Sequence, residues 1–188
     1  MEADTADQEP SAPGVSSKRD VSSILWVVVP LAIVGLLAFG FLSSDRSRPR
    51  RGEPAPAFSL TLLDGSQVAL RDLRGQVVVL NFWASWCDPC RREAPDLQQV
   101  WEQYQDQGVA FVGITFQDAR DASQAFVETF GLTYANGIDE RGRISRAYGV
   151  VAVPETFIID RDGSIAFVHV GDVQAETIVQ DLEELNTR

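Results

Sequence analysis

Two cysteines, Cys87 and Cys90, stand three positions apart in Trp86-Cys87-Asp88-Pro89-Cys90, and the 188-residue chain holds no others. A pair at this spacing can open and close a disulfide, and its neighbours decide whether that is its chemistry. A zinc site needs about four ligands, and the chain adds only His169 and carboxylates to the two thiols. Covalent haem attachment wants a histidine directly after the second cysteine, where Arg91 stands. A purely structural bridge would close so short a loop that it removes little entropy from the unfolded chain. Thiol–disulfide exchange asks for a thiolate nucleophile, and a helix N-terminus favours one through its unpaired N–H groups and the positive end of its dipole. Cys87 would hold that position. Cys90, about one turn further in, would be shielded and placed to resolve a mixed disulfide. Asp88 sets a carboxylate beside the nucleophile; by repelling the thiolate it destabilises the reduced pair and so lowers the potential, which points to a reductant.

The pattern around the cysteines supplies the strand and the helix that this geometry needs. Residues 76–82 carry Val77, Val78, Val79 and Leu80 in succession, without polar alternation, and predict a strand buried on both faces near the sheet centre. Pro89 suits the first turn of a helix whose apolar positions Ala94, Leu97, Trp101 and Tyr104 recur every three or four residues, with Pro95 expected to kink it. Further strands are expected over 57–63, closed by Asp64-Gly65, over 109–116, and in a hairpin of 156–160 and 165–170 around Arg161-Asp162-Gly163, with a short return segment over 68–73. Helices are expected over 119–130, stopped by Gly131, and over 143–148. A last helix should carry Ile178, Leu182 and Leu185 on one face, with Asp172 as its N-cap. The sum is an α/β domain with a mixed central sheet flanked by helices.

Residues 24–42 form 19 positions without a charge, long enough at ~1.5 Å per residue to cross about 28 Å of a ~30 Å hydrocarbon core. We expect an uncleaved single-pass anchor after a disordered tail over 1–23, then a charged, proline-containing tether over 43–56 and a domain over 57–188. Trp26 belongs to the expected anchor. Lys18 and Arg19 precede the apolar run and Arg46, Arg48, Arg50 and Arg51 follow it, a count that would leave the domain in the cytoplasm. The formal charge of −11 resides beyond residue 52, where 10 basic residues face 21 acidic ones. Such a field repels phosphates and argues against nucleic acid as a partner.

Four stretches carry a family likeness: Pro54-Ala55-Pro56-Ala57-Phe58, Asn81-Phe82-Trp83-Ala84-Ser85-Trp86-Cys87, Pro89-Cys90 with Glu93, and Val153-Pro154-Glu155-Thr156-Phe157-Ile158-Ile159-Asp160. From about residue 53 to 173 the chain resembles the membrane-tethered thioredoxin-like oxidoreductases of the TlpA/ResA/DsbE (CcmG) family, which reduce disulfides on the outer side of bacterial membranes, often in cytochrome c maturation. The resemblance implies a thioredoxin-like fold, a catalytic domain outside the cytoplasm, protein thiol or disulfide substrates such as apocytochrome c, a membrane thiol transporter as electron donor, and no bound cofactor. It also implies that Val153-Pro154 forms a cis loop against the cysteines, that Glu93 assists proton transfer, that Glu155 lines the site, and that Trp86 packs beside the nucleophile. Asn81 departs from ordinary thioredoxin, which carries a buried acid there, so proton handling moves to Glu93. Two other readings remain beside disulfide reduction. The stretch at Ala55 to Phe58 is also similar to that of peroxiredoxins, although Ala84 stands where those carry Thr or Ser, and a non-catalytic holdase or assembly factor would use the groove for docking alone. Trp83 and Trp101 read as core and helix-packing residues, and His169, placed by alternation on one strand face with Ile165 and Phe167, as a packed or edge histidine.

Overall fold

The computed structural model describes residues 29–31 and 48–187, and the chain divides into two units, Met1–Asp45 and Arg46–Arg188. In the first, Val29 to Leu31 are helical; the rest of the expected tail and anchor, Trp26 included, lies outside the described residues. Among those described, no helix is long and apolar enough to cross a membrane.

The second unit is built on a mixed sheet, as the pattern predicted, and the sheet has seven strands. Strands β1 (Ser59–Leu62) and β2 (Gln67–Ala69) form the first hairpin, followed by β3 (Val77–Trp83), helix α1 (Asp88–Tyr104), β4 (Val109–Thr115), α2 (Arg120–Phe130), β5 (Ala135–Ile138), the short α3 (Arg143–Ala147), β6 (Glu155–Ile159), β7 (Ile165–Val170) and α4 (Ala175–Asn186). The spatial order is β2-β1-β5-β4-β3-β6-β7. β3, β4 and β5 run parallel, and every other pairing is antiparallel. All seven residues of β3 are buried, as an uninterrupted apolar run requires, although β4 takes the middle of the order.

Two apolar layers cover the sheet. One joins Val77, Val79 and Trp83 to Ala94, Leu97, Val100 and Tyr104 of α1, Phe126 of α2, and Ile178, Leu182 and Leu185 of α4, and it includes both cysteines. The other joins Val78, Leu80, Phe82, Phe157 and Ile159 to Ile144, Tyr148 and Phe58. Along β3 the odd positions face the first layer and the even ones the second, which is the alternation of a strand.

Four expectations need correction. Residues 135–138, to which the sequence pattern assigns no element, form β5, and Gly137 is required there because a Cβ would stand 2.5 Å from the Thr61 carbonyl. Asp172 does not cap α4. Gln174 holds that position without a side-chain bond, while the Asp172 carboxylate pairs with Arg92 at 3.1 Å. Ile165 does not share a face with His169, because the β6–β7 register shifts between Ile158 and Ile159, placing Ile165 and Phe167 in opposite layers. Finally, residues 50–55, expected in the tether, are fastened along β7: Gly52 N–H donates to the Ile165 carbonyl, Ile165 N–H to that of Glu53 and Ala55 N–H to that of Gly163, at 2.8, 2.8 and 2.9 Å.

Candidate active site

β3 ends at Trp83, and four residues later Cys87 is the N-cap of α1, its backbone extended and Pro89 in the first helical turn. Cys87 and Cys90 are joined by a disulfide. The Cys90 amide points back at Cys87 Sγ, 3.1 Å away, so one of the orphan donors of the helix start is aimed at the outer sulfur. Cys87 is 4% exposed and Cys90 1%, so both are buried and the outer residue keeps slightly more access.

The Val153–Pro154 peptide bond is cis, as the resemblance implied, and the Val153 carbonyl lies 3.6 Å from Cys87 Sγ. The loop before β6 therefore lies against the outer sulfur. Trp86 stands beside it, 59% exposed, with its indole N–H donating to the Gln117 carbonyl at 3.3 Å. Val151 is exposed in the same loop, and Val170, at the end of β7, is exposed too. An apolar surface next to a reactive sulfur suits a protein segment better than a small ion.

Glu93 lies one turn beyond Cys90 on α1, which puts the two side chains on one helix face. It is 2% exposed. One carboxylate oxygen accepts from Asn81 Nδ2 at 2.8 Å and the other from the Val173 amide at 3.0 Å; Asn81 Nδ2 also donates to Thr156 Oγ1. The asparagine on β3 thus holds the acid that α1 delivers from the next layer. Desolvation raises the Glu93 pKa to about 7 against the opposing pull of these two bonds. A buried carboxyl that changes charge near neutrality can both take and give a proton.

Glu155 is placed differently. It pairs in register with Phe82, so its side chain faces the second layer, away from the disulfide. It is 1% exposed and accepts a hydrogen bond from Arg48 Nη2 at 2.9 Å, while its other oxygen has no partner among the described residues. Desolvation raises its pKa to about 7, Arg48 opposing. Of the residues singled out from the sequence, Trp86, Cys87, Cys90, Glu93, Val153 and Pro154 come together, and Glu155 lies behind them through the sheet. His169 pairs with Asp181 instead of approaching a cysteine, and Trp83 is core, its indole donating to Asn136 Oδ1 at 3.1 Å. Among the described residues no group of three or more metal-ligating side chains assembles. The site also contains residues that sequence reasoning missed, Thr156 and Asp118 among them. An aspartate just before a helix with no other cap was the available signal for Asp118.

Comparison with known proteins agrees with this geometry. The AhpC/TSA family model matches residues 51–168. The thiol-disulfide oxidoreductase ResA of Geobacillus thermodenitrificans is 34% identical over 168 residues, covering 89% of this chain and 97% of the relative. The thioredoxin-like protein YneN of Bacillus subtilis is 38% identical over 137 residues, covering 71% and 79%. Among solved structures, a secreted Mycobacterium tuberculosis disulfide oxidoreductase homologous to E. coli DsbE superposes with a TM-score of 0.63 at 30% identity, covering 68% of this chain and 96% of that one. A disulfide-linked pair at a helix start, a cis-proline loop against it and these relatives converge: the chain belongs to the AhpC/TSA family and, within it, to the thioredoxin-like thiol-disulfide oxidoreductases.

Proposed function

We propose that this oxidoreductase works as a reductant of protein disulfides, held by residues 24–42 in the membrane with its domain on the extracytoplasmic side. The observation that carries the reading is the arrangement of two sulfurs of unequal access at the start of α1 with a buried carboxyl one turn behind. In the reduced enzyme the Cys87 thiolate attacks one sulfur of the substrate disulfide; a Cys87–substrate bond forms, the substrate bond breaks, and the departing sulfur takes up a proton. Cys90 then gives its proton to the Glu93 carboxylate and attacks Cys87 Sγ. The Cys87–Cys90 bond forms, the mixed disulfide breaks, and the second substrate sulfur leaves and is protonated. The substrate gains two electrons and two protons, and the enzyme is left oxidised.

Trp86, Val153 and Pro154 make the surface on which an extended substrate segment lies, its backbone beside the loop before β6. Glu155, at the back of the sheet, shapes this loop through Arg48 and does not meet the sulfurs. An apocytochrome c is the substrate that the family resemblance suggests, and a membrane thiol transporter the donor that re-reduces the pair. No cofactor enters any step. The thiol-peroxidase alternative lacks a hydroxyl at Ala84, which is fully buried. Equilibration of the full-length protein with glutathione tests the direction of electron flow: a potential below about −180 mV is expected, and a higher one would make the protein an oxidant. In intact cells, a membrane-impermeant thiol reagent should label reduced Cys87 without lysis; protection until lysis would place the domain in the cytoplasm.

A further inference from the structure

Asp118, between β4 and α2, spends both carboxylate oxygens on the segment that leads into Cys87. Its Oδ2 accepts from the Ser85 amide at 2.7 Å and its Oδ1 from the Ser85 hydroxyl at 2.9 Å. The same carboxylate takes the Ala119 amide at 2.9 Å and the Ser123 hydroxyl at 3.1 Å, so it is itself fixed to the start of α2. One residue earlier, Gln117 sits in the left-handed region at φ 49°, and its carbonyl receives the Trp86 indole N–H. Phe116 N–H completes the attachment by donating to the Trp83 carbonyl at 2.7 Å. Ser85, Trp86 and Cys87 are consecutive, so the loop after β4, bonded to Trp83, Ser85 and Trp86, holds the segment that leads into Cys87. A non-glycine residue at positive φ costs about 1 kcal/mol or more and persists only where its surroundings hold it; here the bonds of Asp118 and Trp86 do so.

We propose that Asp118 is a positioning residue for substrate docking: by clamping Ser85 it holds the Trp86 platform in the orientation that presents a protein segment to Cys87. This deepens the proposed function and rests on it. The distinction from simple support of the fold lies in which substrates notice. A small disulfide such as that of Ellman's reagent needs only the sulfur of Cys87, whereas a protein disulfide needs the platform as well. A hydrogen bond to a charged group is worth roughly 1.5 kcal/mol, which is about tenfold in rate at 1.4 kcal/mol per decade.

The test uses the full-length reduced protein, with insulin as the protein disulfide and Ellman's reagent as the small one. Asp118→Ala should lower kcat/KM toward insulin about tenfold, mainly through KM, and change the rate toward Ellman's reagent less than twofold. Ser85→Ala, which removes only the hydroxyl bond, should move the same ratio in the same direction by less and keeps the test valid if Asp118→Ala folds poorly. In a Trp86→Ala background the further effect of Asp118→Ala on insulin should shrink to within about twofold, because the platform it positions is gone. Equal losses toward both substrates, or an undiminished effect in the Trp86→Ala background, would overturn the assignment while leaving the reductase reading intact. A wild-type protein that reduces Ellman's reagent and not insulin would overturn both.

Discussion

Glu93 shows at the scale of one residue why burial is part of the chemistry. An exposed glutamate near a helix start would stay ionised and serve only the helix dipole; at 2% exposure, Glu93 has its pKa raised to about 7 by desolvation. Between the ordinary value of 4.5 and about 7 the folded chain keeps a proton that the unfolded chain has released. It therefore binds more protons than the unfolded form, and stability falls as pH rises through this window. At 1.36 kcal/mol per unit, the loss reaches on the order of 3 kcal/mol. Glu93→Gln should flatten the dependence of the urea midpoint on pH between 5 and 8, leaving the part that Glu155 contributes with the same sign. In single-turnover reduction of a protein disulfide, the resolving step of the wild type should rise with pH about an inflection near 7, and the variant should lose that inflection together with about tenfold of rate at pH 8. An unchanged profile would remove the acid from the proton path. The spacing of the residue from Cys90 was legible in the sequence. Its depth was not, because depth is set by Asn81 and Val173, partners 12 and 80 positions away.

At the scale of elements, the sequence was most legible where a run had one unambiguous period. β3, β4, α1, α2, α4 and the last hairpin all stand within a few residues of their expected bounds, because uninterrupted valines or an i, i+4, i+7 face leave no competing assignment. β5 was illegible because its two small polar residues answer to neighbours and not to local propensity. Asn136 is there to accept the Trp83 indole, and close approach to β1 requires Gly137. Gly113, on β4 between β5 and β3, completes the fit: a Cβ would collide with Asn136 Oδ1 and stand 2.7 Å from Trp83 Nε1. Trp83 in turn stacks on Phe126 with ring centroids 4.5 Å apart and ends the strand that leads to Cys87. Gly113→Ala should therefore destabilise the fold by about 2 kcal/mol through overpacking, read as a lower urea midpoint at constant slope. Adding Asn136→Ala removes the atom that is struck and should recover part of the loss, and a purely additive pair would refute this account of the strand.

At the scale of the whole molecule, the segment before β1 belongs to the globular unit rather than to a loose connection. Besides its backbone bonds to β7, Arg51 pairs with Glu184 at 3.1 Å and lies 4.5 Å from the Phe167 ring centroid, and the Tyr148 hydroxyl donates to the Pro56 carbonyl at 2.8 Å. The Arg-rich composition of residues 46–51, read from the sequence as charge flanking an anchor, is thus partly committed to acids of the domain, which no local pattern could disclose. Arg48 is the residue on which this attachment turns. Among the described residues its guanidinium is the only partner of the Glu155 carboxylate, and its backbone lies so close to Gly149 that a Cβ there would stand 2.8 Å from Arg48 Cα. Removing one member of a buried pair leaves an uncompensated charge; because Arg48 is 37% exposed, the cost is discounted to about 2 kcal/mol. Arg48→Ala should therefore lower stability at pH 8, where Glu155 is ionised, and much less at pH 5.5, where burial keeps it protonated. The sign follows from a pKa raised in the folded state and raised further once the arginine is gone: stability is retained at low pH and lost as pH climbs past about 7. Glu155→Gln in the Arg48→Ala background should erase this extra pH dependence, since no carboxylate remains to ionise. Equal destabilisation by Arg48→Ala at both pH values would assign the loss to packing over Gly149 instead of to the charge it balances.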